Sequence, residues 1–466
     1  MSKDIQPKTI NQSPELVEKN QANTSSDSEK EKEWQYILVN GQSRQIKVKN
    51  PEYKKGKLNS FEDVKGVPHK QDEPGNLKTP ELDDVEEQKR KFYADFFRRP
   101  FKNLLVLSGA GTSVDVGGLT MSGLWEAAEN EFGVEDGKES VLRNILKEIN
   151  YPDSENATNL ESVLSHIEGY LKFSGEEKEL KAIKQVNKAV KSYNLKEVRN
   201  RILEIIKERI SKISIKEPNK FPHKTFIQRI LRRKTTNPRV KIFTLNYDTL
   251  FEQAAVALNA VVIDGFSFTH PRTFSGRNFD FDIVQREGSK LSEEDNFIPN
   301  VFHLYKLHGS LDWRREGDGR IIIKENEENP LIIYPRDAKY ENSYEQPFFE
   351  MFARFQRNLR INDDTLLICI GYSFSDKHVN AAILEALNQN PGFRLAVILP
   401  EFDKDETNST LKEIRDQAEQ SERIILVSET FEEFAKNFPE MQVYPNQVNY
   451  QSNTLIGNER HQSEPF

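Results

Sequence analysis

Eight short runs in this chain, NLLVL, VKIFTL, AVVI, FHLYKL, PLII, TLLICI, FRLAVIL and RIILV, are apolar almost without interruption. A strand with one wet face alternates apolar and polar residues. A run without alternation needs cover on both faces, which a parallel sheet flanked by helices supplies. Helical patterns separate several of the runs, so the expected fold is α/β: a Rossmann-like parallel sheet carrying a large helical insertion. Ligands of such sheets bind beyond the carboxyl ends of the strands. Here those ends read SGAGTS, LNYD, LHGS, GYSFSD and SE, which gathers glycine and polar residues on one edge.

At 466 residues the chain exceeds one average domain, and with 36% hydrophobic and 30% charged residues part of it is expected to be solvated. Residues 1–33, rich in Asn, Gln, Ser, Lys and Glu, read as a disordered tail. Residues 34–84 read as a small β-hairpin turning at Asn40-Gly41, followed from Lys49 by a linker. The main domain is expected over 85–440, with the helical insertion at about 119–236 (VLRNILKEI, LESVLSHIEGYLKF, VRNRILEIIKERI), and 441–466 as a C-terminal tail.

Composition narrows the function. A net charge of −8 lacks the electrostatic footprint of a protein that binds nucleic acid over its whole surface. The basic run RILRRK, Arg229 to Lys234, reads as a solvated helix end. The single cysteine, Cys369, sits inside an apolar run and reads as a small buried hydrophobe. One thiol makes no internal disulfide and no four-cysteine zinc site, so no metal is expected and a reducing cytoplasm is the expected compartment. The N-terminus has no apolar leader, and no run approaches the ~18 apolar residues of a membrane span. Neither a phosphate-binding G-x-x-x-x-G-K-[ST] loop nor a G-x-S-x-G elbow occurs.

Ser108-Gly109-Ala110-Gly111-Thr112-Ser113 follows the strand LLVL, and its glycines suit either a tight structural turn or a cradle in which backbone N–H groups meet a pyrophosphate at a helix N-terminus. Its spacing is not the G-x-G-x-x-G of ordinary dehydrogenases. Asn246 and Asp248 end a strand and suit capping of the helix TLFEQAAVAL as well as a ligand role. His308 ends another strand before a glycine, where an imidazole titrating near neutrality can take a proton. His303 on the same strand is expected to face the other side of the sheet, and His223 reads as structural. Gly371, Ser373, Ser375 and Asp376 suit either ligand contacts or a cap for KHVNAAILEAL, and Glu429 is a weaker ligand candidate.

Together these segments resemble the sirtuins. GAGTSVDVGG resembles their GAGxSxxxG signature, TLNYD their TxNxD motif, LHGSLDW their HG motif and GYSFSD their later G-[TS]-S segment, in family order over about residues 100–440. The chain is most similar to the bacterial sirtuin-like group that hydrolyses NAD in antiphage defence. This resemblance implies NAD as substrate, Asn246 and His308 as catalytic residues at the nicotinamide-side ribose, and NAD contacts from Gly109, Ala110, Gly111, Ser113, Asp248, Gly371 and Ser373. It also implies a homo-oligomer with an ATPase or other defence subunit as partner and a phage-derived trigger. Two departures stand out. Gly117-Gly118-Leu119-Thr120-Met121-Ser122 stands where sirtuins have G-I-P-x-F-R, and the two Cys-x-x-Cys zinc pairs of the protein deacylases are missing. Water is then the economical acceptor, giving nicotinamide and ADP-ribose; a protein deacylase or ADP-ribosyltransferase and a non-catalytic NAD-sensing subunit are the alternatives.

Overall fold

The computed structural model describes residues 34–439 except 55–56, 64–65, 71–79, 100, 136–138, 153–159, 175–178, 187–188, 214, 216–220, 286–296, 326, 328, 334–345, 362 and 403–407. The tails read at 1–33 and 441–466 lie outside the described residues. An N-terminal arm comprises β1 (Trp34–Val39), β2 (Gln45–Lys54), β3 (Lys57–Glu62) and β4 (Pro68–Lys70), and α1 (Pro80–Phe97) leads from it into β5 (Asn103–Ser108). An insertion comes next, with α2 (Met121–Phe132), the hairpin of β6 (Val134–Glu135) and β7 (Glu139–Ser140), α3 (Val141–Glu148) and α4 (Leu160–Ser174). It continues through the hairpin of β8 (Glu179–Val186) and β9 (Ala189–Asn194) to α5 (Leu195–Ser211) and α6 (Pro222–Ile230). The core resumes with β10 (Val240–Thr244), α7 (Leu250–Leu258), β11 (Val261–Ile263), β12 (Val301–Lys306) and the hairpin of β13 (Trp313–Arg315) and β14 (Ile321–Ile323). It closes with α8 (Phe348–Leu359), β15 (Thr365–Ile370), α9 (Lys377–Gln389), β16 (Phe393–Leu399), α10 (Ser409–Gln420), β17 (Ile424–Ser428) and α11 (Phe431–Asn437).

One sheet runs in the order β11-β12-β10-β5-β15-β16-β17-β1-β2-β3-β4. From β11 to β17 every neighbouring pair is parallel, and β1 joins β17 antiparallel. Starting at β5, the chain builds outward through β10 to one side, then returns to lay β15, β16 and β17 on the other. The crevice between β5 and β15 is therefore a topological switch point, where open α/β sheets bind ligands.

Burial on both faces explains the missing alternation. All six residues of β5, β12 and β15 are buried. Successive side chains point to opposite faces: Leu105, Leu107, Phe243, Tyr305, Leu367 and Cys369 join one core, and Leu104, Val106, Ile242, Leu304, Leu366 and Ile368 the other. Helices α8, α9 and α10 cover the first face through Phe355, Ile383 and Ile414, and α1, α6, α7 and α11 cover the second through Phe97, Phe226, Phe251 and Phe434. Each such side chain removed from water contributes about 1.5–3 kcal/mol. The insertion has a core of its own, built on Trp125, Leu142, Ile145, Leu164, Ile167, Ile202 and Ile206.

Five expectations differ from the structure. The arm does not end in a linker at Lys49: β2 continues to Lys54 and two further strands succeed it, because Val48, Leu58 and Phe61 bury against Ile37 and against Leu82 of α1. The folded chain accordingly starts upstream of residue 85, and the insertion holds two β-hairpins besides its helices. PLII supplies only a bridge from Ile332 to Gly309, since its backbone is taken up by the turn after β12. Arg229 and Arg233 are not a merely solvated helix end: they donate to the carbonyls of Phe438 and of Phe101 and Lys102, respectively. Among the described residues no helix is long and apolar enough to cross a membrane.

Candidate functional site

A cavity of about 590 Å³ opens at the carboxyl ends of β5, β10, β15, β16 and β17 and reaches His308 just beyond β12. Gly109, Ala110, Gly111, Ser113, Asn246, Asp248, His308, Gly371 and Ser373, scattered through the sequence, all line it. From β10 to β17 there are four strand spacings, or about 19 Å. Asn246 and His308 therefore stand at one end, the glycine turn in the middle, and Glu429 at the other.

The glycine turn is shaped by its neighbour. A Cβ on Gly109 would come within 2.5 Å of the Gly371 carbonyl oxygen, and one on Gly111 within 2.6 Å of the Gly371 Cα. Only glycines let these strand ends meet. The N–H groups of Gly109, Gly111 and Thr112 donate to Ile370 O, Gly371 O and Gly109 O. From Ala110 to Val116 the backbone winds as a 3-10 turn rather than an α-helix. The expectation of a helix N-terminus pointing free N–H groups at a pyrophosphate is corrected to that extent, because closure against Ile370 and Gly371 uses two of those donors and the turn itself uses the third.

Asn246 is held by the same turn. Its Nδ2 donates to Gly109 O at 3.0 Å, Thr112 Oγ1 at 3.1 Å and Ser113 Oγ at 3.0 Å. With the amide nitrogen so engaged, the carbonyl oxygen is the atom suited to a ligand hydroxyl or a water. Asp248 accepts from Ser113 Oγ at 2.7 Å and from the Leu250 N–H at 3.1 Å, so it steadies the start of α7 while lining the cavity. Beneath this loop Lys306, absent from the sequence expectations, donates from Nζ to Asp248 O at 2.6 Å, Ser310 Oγ at 2.6 Å and Glu252 Oε1 at 3.0 Å. Burial opposes its charge, but Glu252, Asp312 and Asp248 outweigh this and raise its pKa. The ammonium thereby ties the Asn246–Asp248 loop to the loop after β12. A lysine inside a continuous apolar run was the signal that could have revealed it.

His308 sits where β12 ends in a turn at Gly309, with φ +87° and no room for a Cβ beside Leu331 O. Its Nε2 lies 3.3 Å from Asp376 Oδ2. Asp376 also caps α9, its Oδ1 accepting from the N–H groups of His378 at 3.0 Å and Val379 at 3.3 Å. Asp376 thus caps α9 while lining the cavity, with a partnership to His308 that spacing did not reveal. A carboxylate beside an imidazole orients the ring and stabilises the imidazolium formed when it takes a proton.

At the far end Glu429 is buried and lines the cavity with Pro400 and Thr430. Met121, Leu124, Ile210, Ile213 and Glu161 bring the insertion to the cavity wall. Asp115, also on the wall, has its pKa raised by burial. His303 packs beside the stacked rings of Phe279 and Tyr305 in the core. His223 is fully buried against Phe221, Phe251 and Phe431. Among the described residues no cluster of three or more His, Cys, Asp or Glu is placed to hold a metal ion.

Residues 240–441 match the family model described as SIR2-like domain. No curated protein matches the chain. A solved structure titled "Structural Basis for the Mechanism and Regulation of Sir2 Enzymes" is 14% identical over 75% of this chain and 94% of its own, with a TM-score of 0.34, a likeness too slight to bear weight.

Proposed function

We propose that this chain is an NAD hydrolase that releases nicotinamide and ADP-ribose. The observation that carries the reading is the continuous cavity at the switch point, with Asn246 and the His308–Asp376 pair at one end and about 19 Å of strand ends leading to Glu429 at the other. Its length suits a dinucleotide, and its volume of about 590 Å³ lies within the usual range for small-molecule sites. The SIR2-like match over 240–441 covers the strand ends that carry Asn246, His308, Ser373 and Glu429.

In this reading the bond between the anomeric carbon and the pyridinium nitrogen breaks, and its electron pair leaves with nicotinamide. Water bonds to the electron-poor carbon and gives up one proton. Asn246, fixed by three acceptors on its nitrogen, turns its carbonyl oxygen to the ribose or the attacking water. His308 takes the proton from a ribose hydroxyl or from that water, and the Asp376 carboxylate stabilises the cation. Gly109, Ala110, Gly111, Ser113, Asp248, Gly371 and Ser373 shape the middle of the groove. Apolar residues of the insertion, Met121, Leu124, Ile210 and Ile213, wall the same cavity, and with the Cys-x-x-Cys pairs of the protein deacylases missing, water is the economical acceptor.

The resemblance alone supports the biological setting proposed with it: depletion of NAD in antiphage defence, restrained by assembly into a homo-oligomer or with a partner subunit such as an ATPase. Incubating the purified chain with NAD, alone and with lysate of phage-infected cells, and identifying products by mass tests the activity. Nicotinamide and ADP-ribose in equal amounts are expected. Turnover only with an acylated peptide would favour a deacylase, transfer of the sugar to a protein would favour an ADP-ribosyltransferase, and NAD binding without nicotinamide release would favour a sensing subunit.

A further inference from the structure

The strands that deliver Asn246 and His308 separate before either residue is reached. Their last paired positions are Thr244 of β10 and Lys306 of β12, each two residues short of the residue it delivers. A bond from the Leu307 N–H to Thr244 O, at 2.9 Å, is the last along the two strands. Beyond it one run turns through Tyr247 and Asp248 toward α7 and the other through Gly309 and Ser310, and the Leu311 N–H rejoins them at Tyr247 O, at 3.0 Å. The Tyr247 hydroxyl also donates to Ile333 O at 2.6 Å, while the Ile333 N–H donates to His308 O at 2.8 Å. The Lys306 ammonium, on a side chain only 3% exposed, reaches both runs: Asp248 O on one and Ser310 Oγ on the other, each at 2.6 Å. Glu252 of α7, at 3.0 Å, balances its charge.

Stability alone gives little reason for an ammonium at this place. Burying an ion pair costs desolvation that its attraction barely offsets, and a packed apolar side chain is often as stable or more so. What an apolar side chain cannot do is hold two acceptors on different loops at a set separation. We infer that Lys306 is a positioning residue, whose ammonium sets the spacing between the Asn246 loop and the His308 turn. Asn246 is oriented by the glycine turn and His308 by Asp376, so each has its own partner. Their placement relative to each other passes through the joint that Lys306 completes. A misplacement of about 1 Å in such a pair costs on the order of 10²-fold in rate. The kinetic consequence rests on the hydrolase reading; the tie between the loops rests on the contacts alone.

The test uses the full chain with NAD. Lys306→Met should lower kcat about a hundredfold while the KM for NAD changes less than about threefold, because placement and not ligand contact is lost. In the Asn246→Ala background the same substitution should cost less than about threefold in kcat, since the residue it acts through is already gone. Losses that multiply in the double variant, or a raised KM with kcat unchanged, would overturn the inference. Hydrogen exchange followed by mass should quicken over residues 244–250 and 306–313 of Lys306→Met and stay as in wild type over β15. If Lys306→Met fails to fold by thermal denaturation, Ser310→Ala, which takes away one acceptor and leaves the ammonium paired with Glu252, carries the same expectations with a loss of about tenfold in kcat. Should the wild-type chain release no nicotinamide, the hydrolase reading fails, and quicker exchange in both segments would still uphold the tie. Unchanged exchange would overturn it whether or not NAD is cleaved.

Discussion

Asn246 and His308 approach the same end of the cavity by different supports. Asn246 is clamped through its nitrogen by the glycine turn, whereas His308 is set by a glycine-only turn and a carboxylate from another strand end. Replacing His308 with Ala should lower nicotinamide release by a factor on the order of 10² to 10⁴ while NAD binding weakens far less. Asn246→Ala should cost at least as much, since in the proposed mechanism its side chain both positions the ribose and orders the attacking water. Near-normal turnover by either folded variant removes that residue from the mechanism. Asp376 allows its two duties to be separated. Asn caps helices about as well as Asp, so Asp376→Asn should keep the thermal midpoint while slowing turnover about tenfold or more through loss of the charge beside His308. Asp376→Ala should in addition lose about 1 kcal/mol of stability. Equal rates for wild type and Asp376→Asn would reduce the carboxylate to a cap. The Leu-His-Gly-Ser context made His308 legible in the sequence; Asp376 was legible only as a cap or a ligand contact, because a pairing between distant strand ends leaves no local spacing.

Among the elements, the arm has the clearest mechanical duty. Its β1 pairs with β17, with Leu38 and Val39 opposite Val427 and Leu426, and all four are buried. Without it the last parallel strand would present an unpaired row of backbone groups beside apolar side chains, a template for association with another chain. Deleting residues 1–79 should therefore produce aggregates in sedimentation velocity, whereas deleting only 1–33 should leave the protein monodisperse and NAD cleavage intact. A soluble, fully active 80–466 fragment would show that the edge needs no cover. The sequence revealed the hairpin through Asn40-Gly41 but not its place in the sheet, because β-pairing between distant segments depends on which edge remains open after the parallel strands have assembled.

For the molecule as a whole, the two-faced core makes two histidines sensitive to acid. Burial depresses His223 to about 4 and, with help from Lys241 among others, His303 to about 4, against an ordinary value of 6.5. Below the ordinary value the unfolded chain takes up protons that the folded one refuses. Stability is thus fully present above it and falls as the pH drops toward the depressed value, by about 3 kcal/mol per histidine. Both ring nitrogens of His223 lack hydrogen-bond partners, so His223→Leu removes one titration without orphaning a polar contact. Urea midpoints tracked from about pH 7 to about pH 4 should fall less steeply for this variant than for wild type. Parallel slopes would contradict the assignment.

By itself the sequence determined the α/β class, the two-sided burial of the strands and the edge on which the polar motifs gather, because continuous apolar runs and glycine-bearing strand ends are local patterns with local physical causes. It also identified the insertion, whose helical periodicity is strong, and the burial of Cys369. Only the tertiary structure decided what each motif touches. It directed the N–H groups of Gly109 and Gly111 to the carbonyls of Ile370 and Gly371, joined Asp376 to His308, placed the Lys306 ammonium under the Asn246 loop and brought Lys89 to Glu429. Each of these contacts joins groups well separated along the chain, and its energy depends on desolvation and on a few tenths of an ångström. Neither can be read from residue order before the sheet has set which strand ends are neighbours.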